Sequence, residues 1–175
     1  MSYAERMEYT GWECATNVIS QIPLIIDEAG VKSEYGKREL HKILVYEFHE
    51  NIPNILIPNT DWDTLLKQGG WYKVRKEYEK MIDDERRWTK DMVNEVWYVT
   101  PPSASYEEVP KTIKEEKVKE FVDRLTSIFD EPRKKFIASL GDQAYRDWRA
   151  SHLAVDKAFL IFDRCMKRKI PKLSF

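Results

Sequence analysis

The chain reads as an all-α protein: a single compact bundle of about six or seven helices with a proline-rich linker near 99–112. Three observations predict this. Apolar residues recur at helical rather than alternating spacing through most of the 175 positions. The 8 prolines and 6 glycines mostly punctuate those stretches. A composition that is 42% hydrophobic and 34% charged suits long helices with an apolar inner face and a heavily charged outer one.

Taken in order, the first helix is expected over 2–30. Met7, Ala15, Val18 and Ile22 sit near helical spacing, Pro23 is expected to kink or restart the helix, and Gly30 suits its stop. A second helix covers 33–51, with Leu40, Ile43, Leu44 and Phe48 facing inward. Two prolines among Ile and Leu make 52–58 read as a buried extended connector, with a short strand as the alternative. Asn59, Thr60 and Asp61 offer cap chemistry for a short helix ending near Gln68, and Gly69-Gly70 permits a sharp turn. The helix that follows, over 71–97, has Val74, Tyr78, Met81, Ile82, Trp88, Met92 and Val96 as its inner stripe.

Pro101, Pro102, Ser103, Ser105 and Pro110 mark the linker. It divides an acidic helical lobe, 1–98, from a basic one, 111–175. Both are assigned to one domain over 1–175, because about 60 residues beyond the linker would make a marginal domain alone. A helix over 111–129 is expected to bury Val118, Phe121, Val122, Leu125 and Ile128. Pro132 opens a short helix that ends near Gly141, and Asp142 caps the last helix, which stops before Pro171. In that last helix Tyr145, Trp148, His152, Val155, Phe159, Phe162 and Met166 alternate by 3 and 4 residues. Such a heptad seam is expected to be the core face of a bundle helix, with a stripe toward a partner chain as the alternative.

Charge is uneven along the chain. Residues 1–110 hold 13 Lys/Arg against 20 Asp/Glu, while residues 111–175 hold 16 against 10. That asymmetry suggests an anionic partner or head-to-tail self-association. Lys and Glu supply 36 residues and Gln only 3, a balance that leans toward a heat-adapted source. No apolar run approaches the ~18 residues of a membrane span. The start lacks the basic and apolar regions of a signal peptide. An intracellular (cytoplasmic) location, or one within a nucleoprotein particle, is therefore expected.

No glycine-rich phosphate loop, G-x-S-x-G elbow or H-E-x-x-H motif is present. Cys14 and Cys165 match no zinc spacing and are expected as reduced thiols on helix faces, with a bridge between the first and last helices as the alternative. His41 and His49 share a helix face but are expected to be solvated. Asp83, Asp84, Glu85, Asp91 and Glu95 alternate with Arg86, Arg87 and Lys90, so a solvated face with local ion pairs is expected, although Glu85 falls within the inner stripe. Neither a metal nor a cofactor is expected.

The run Arg146-Asp147-Trp148-Arg149-Ala150-Ser151-His152 resembles the Arg-x4–6-His motif of HEPN-type ribonucleases over seven residues. The resemblance implies RNA cleavage by Arg146 and His152 in a dimeric helical protein. The simpler expectation for His152, which stands in the apolar seam, is a hydrogen-bonded core histidine. Lys134, Lys135, Arg146, Arg149, Arg164, Lys167, Arg168 and Lys169 form a basic strip able to contact phosphates without reading bases. The leading expectation is a non-enzymatic structural or assembly subunit, like a coat or nucleoprotein. It would self-associate and contact the nucleic-acid backbone, with no membrane or small-molecule partner. A small helical inhibitor or adaptor that binds another protein through its acidic N-terminal half is the first alternative, and a HEPN-like ribonuclease the second.

Overall fold

The computed structural model describes residues 2–99 and 131–173, without the side chains of residues 55, 56, 97–99 and 131–145. Its elements are α1 (Tyr3–Ala29), α2 (Glu34–Tyr46), a π-helical segment (Glu47–Leu56), α3 (Trp62–Val99), α4 (Glu131–Lys169) and a 3-10 turn (Pro171–Leu173). No strand occurs among the described residues, so the fold is all-helical there, with four α-helices. The proline-rich stretch near 99–112 and the helix expected over 111–129 lie outside the described residues.

Local chemistry sets the ends of α1. The Ser2 hydroxyl accepts from the Glu5 backbone N–H at 3.1 Å, and the Glu5 carboxylate accepts from the Ser2 N–H at 2.9 Å. This reciprocal capping box satisfies donors that have no partner inside the helix. At the other end Gly30 takes φ 92°, the left-handed conformation that glycine adopts without a Cβ clash. Pro23 lies on an exposed part of α1, and the helix runs through it without restarting.

The segment expected to be extended is helical. Alpha-helical pairing would need an N–H from residue 53 to the His49 carbonyl, and Pro53 has none. The chain widens into a π-helix here, and the Asn54 side-chain amide donates to the His49 carbonyl at 3.1 Å. Phe48, Ile52 and Ile57 thereby all face the core. Ile57 packs at Gly11 of α1, where a Cβ would meet its Cγ1 at 3.1 Å.

Gly70 interrupts α3 with φ 63° and ψ −164°, a region open in practice only to glycine. The turn expected at Gly69-Gly70 is therefore a break between two helical pieces of one element. By contrast, α4 runs through Gly141, where the sequence predicts a helix end. A glycine inside a helix costs only about 1 kcal/mol relative to alanine and does not force a stop.

One hydrophobic core joins all four helices. Its α4 contribution is the expected seam: Val155, Phe159, Phe162 and Met166 are fully buried and Trp148 nearly so. His152 is half-buried, and the Tyr145 side chain lies outside the described residues. Phe48 packs on Phe159 and Phe162, with ring centroids 5.0 and 5.8 Å apart. Thus α4 touches α1, α2 and α3, most extensively α1. The cysteines do not remain thiols: Cys14 of α1 and Cys165 of α4 form a disulfide.

Candidate nucleic-acid interface

The outer face of α4 is built by default. Once the seam turns inward, helical geometry sends Arg146, Lys157, Arg164 and Arg168 to within about 40° of one line on the opposite side. All four are exposed, and none forms an ion pair among the described residues. From first to last they cover about 33 Å of helix. Arg149 is exposed beside the line, and Leu153 and Leu160 stand exposed along it.

Three acidic residues share residues 146–173 with eight basic ones, and each acid is engaged. Asp147 is buried and accepts from the Lys32 and Ser33 backbone N–H groups, each at 2.9 Å. It thus ties the start of α2 to α4. Asp156 pairs with Lys90 of α3 at 3.0 Å, and Asp163 with Lys167 at 3.1 Å. The balance left on the outer face over these residues is positive.

The eight residues expected to bind phosphate do not all lie together. Arg146, Arg149, Arg164 and Arg168 share the outer face. Lys167 is tied to Asp163. Lys169 turns toward α1, where its ammonium lies 2.8 Å from the Glu13 carboxylate. That hydrogen bond holds Glu13 below the ordinary carboxylate value. The side chains of Lys134 and Lys135 lie outside the described residues.

Between α1 and the end of α4 runs a groove of about 540 Å³, lined by Tyr9, Trp12, Glu13 and Asn17 on one side and Cys165, Arg168 and Lys169 on the other. Tyr9 is 59% exposed and Trp12 36%. Sequence reading missed this groove, because its walls come from opposite ends of the chain. The signal that existed was the run Tyr9, Trp12, Glu13, which places two aromatics on the outer side of an otherwise well-patterned helix.

His152 and Trp148 converge on Asn94 of α3, whose side-chain oxygen lies 3.0 Å from His152 Nε2 and accepts the Trp148 indole N–H at 2.5 Å. The two rings also meet edge to face, 4.7 Å between centroids. Six residues apart on a helix, Arg146 and His152 point about 120° away from each other, so α4 does not bring them to one point. His41 and His49 are exposed, and His49 hydrogen-bonds Glu50 at 3.0 Å. Among the described residues no three His, Cys, Asp or Glu side chains converge as metal ligands, and no helix is long and apolar enough to cross a membrane.

A buried acid lies elsewhere. Glu47, at the start of the π segment, is fully buried and accepts from the Asn51 amide at 3.2 Å. Burial, and next the carboxyl of Glu85 beside it, push Glu47 from 4.5 up to about 9, so it keeps its proton at neutral pH. Asp83, Asp84, Asp91 and Glu95 are exposed, whereas Glu85 is half-buried. No family model, curated protein or solved structure matches this chain.

Proposed function

We propose that the chain is a non-enzymatic assembly subunit that contacts nucleic-acid phosphates through the outer face of α4, as a coat or nucleoprotein does. One observation carries this reading. A row of exposed Arg and Lys side chains, without ion pairs among the described residues, lies on a helix whose acids over 146–173 are all occupied. Contacts of that kind are electrostatic and indifferent to base sequence. The whole fold proposed is a bundle of six or seven helices that includes the four described.

The disulfide bears on the setting. Cytosolic proteins of moderate-temperature cells rarely keep one, whereas intracellular proteins of heat-adapted microbes do. Together with the Lys/Glu-rich composition, it supports a place inside a heat-adapted cell or in a particle assembled there.

The test is a salt titration of binding to a random duplex and a random single strand. Affinity should fall steeply with salt. Arg146→Ala, Lys157→Ala and Arg164→Ala should each lower the slope by roughly one unit for the phosphate that the side chain neutralises. Absence of binding to either probe at about 50 mM salt would refute the reading. A protein-binding adaptor is the second reading. The exposed Leu153 and Leu160 among basic residues favour it, since an acidic amphipathic helix would match both the leucines and the charge. Pull-down of a stoichiometric protein partner, released by Leu153→Asp, would support it.

A further inference from the structure

We propose that the groove between α1 and the end of α4 is a subsite for single-stranded nucleic acid, in which the Trp12 indole stacks on a base while Arg168 holds the adjoining phosphate. This rests on the phosphate-binding reading of α4 and adds a preference for one form of the ligand.

Size comes first. At about 540 Å³ the groove falls in the range of sites that hold a small organic group such as one nucleotide. Its chemistry is mixed in the way a nucleotide requires. Trp12 and Tyr9 remain exposed on a helix whose neighbouring turns bury Met7, Cys14, Ala15 and Val18. Trp12 also has a ring neighbour, the His49 side chain of the π segment, whose plane stands perpendicular to the indole at 6.4 Å between centroids. An indole that is 36% exposed keeps ring surface open for stacking, and every base has a face to offer.

Charge is supplied by two cations that are differently engaged. Glu13 is the one acid among the residues that line the groove, and it is spent on Lys169 at 2.8 Å. Arg168 makes no ion pair among the described residues and keeps its fork of donors for a phosphate. It also stands at the end of the outer-face line, so a backbone laid along α4 arrives at the groove mouth. A duplex following that path keeps its bases stacked on one another, with no face open to Trp12. A single strand can turn one base out into the groove.

The experiment compares binding of a random single strand and a random duplex, each about 12 nucleotides long, by wild type, Trp12→Ala, Trp12→Phe and Arg164→Ala. Trp12→Ala should weaken single-strand binding by about tenfold or more, leaving duplex affinity and both salt slopes unchanged. Trp12→Phe should recover part of that loss, because a smaller ring still stacks. Arg164→Ala should weaken both probes alike. If Trp12→Ala affects both probes equally, or neither, the subsite is wrong while the phosphate reading stands. Wild type that binds neither probe refutes both. Loss of self-association in Trp12→Ala by light scattering, at unchanged nucleic-acid affinity, would make the groove a protein interface and overturn the proposal. Circular dichroism melts of each variant establish that differences arise in a folded protein.

Discussion

The two faces of α4 follow different rules. Its inner side is specified several times over: an apolar heptad, a disulfide to α1, a carboxylate that holds the backbone just before α2 and an indole bonded to α3. On its outer face Arg146, Lys157, Arg164 and Arg168 form no ion pair among the described residues. These four contribute little to folding, because each stays in water. Packing fixes the identity of the inner residues, whereas the residues that it leaves unconstrained are the ones that carry net positive charge.

The largest expected effect falls on the inner face. Phe159 is fully buried against Phe48, so Phe159→Ala should cost about 3–5 kcal/mol, read as a drop in the denaturant midpoint. A midpoint unchanged by the substitution would put the seam on the surface and erase the contrast between faces.

Next comes the cross-link. Cys14 and Cys165 are 151 residues apart, and closing so long a loop restricts the unfolded chain strongly. A Cys14→Ser/Cys165→Ser double variant should lose about 2–5 kcal/mol under oxidising conditions and match wild type once both are reduced. Equal stability of the two proteins when oxidised would mean that the bridge adds nothing beyond the packing.

A third test uses a buried group that, unlike Asp147, has no backbone donors arrayed around it. The folded state holds the Glu47 proton up to about pH 9, while an exposed glutamate releases it near 4.5. Between those values the native state binds more protons than the unfolded chain, so stability falls as pH rises, by at most about 1.4 kcal/mol per unit for one proton. The contribution is fully present below 4.5 and gone once pH passes the raised value. Glu47→Gln should flatten that slope and melt higher than wild type at mildly alkaline pH. Parallel slopes for the two proteins would show that Glu47 does not carry the proton.

How much of this was legible in the sequence depends on distance along the chain. Ser2, Gly30 and Gly70 act on backbone within a few residues, and the seam from Trp148 to Met166 is a pattern inside one helix. All of these follow from local chemistry. The π segment did not: two prolines argue against a helix, and Pro53 is accommodated by the wider π pairing together with an Asn54 side chain that reaches back five residues. Asp147 reaches Lys32 and Ser33 across more than a hundred residues, and the groove joins Trp12 to Arg168 over a longer span still. Such pairings depend on tertiary packing, which no short-range pattern encodes. Asp147 stands between Arg146 and His152, and nothing in that motif announces its hold on the Lys32 and Ser33 backbone N–H groups.

The smallest expected effect on stability sharpens the comparison most. Arg146→Ala, Lys157→Ala and Arg164→Ala remove side chains that are exposed and form no ion pair among the described residues. Each should shift unfolding by no more than about 0.5 kcal/mol. The triple variant should fall near the sum, because these sites share no partner among the described residues and at least a full turn separates them. It should melt close to wild type and keep its helix content by circular dichroism. Removing three like charges from one face even relieves some repulsion, so a slight gain in stability at low salt fits the same picture. A large loss of stability in the triple variant would mean that the outer face is packed against something. The outer and inner faces of α4 would then no longer differ in kind, and the phosphate row would have to be abandoned for an interface within the fold.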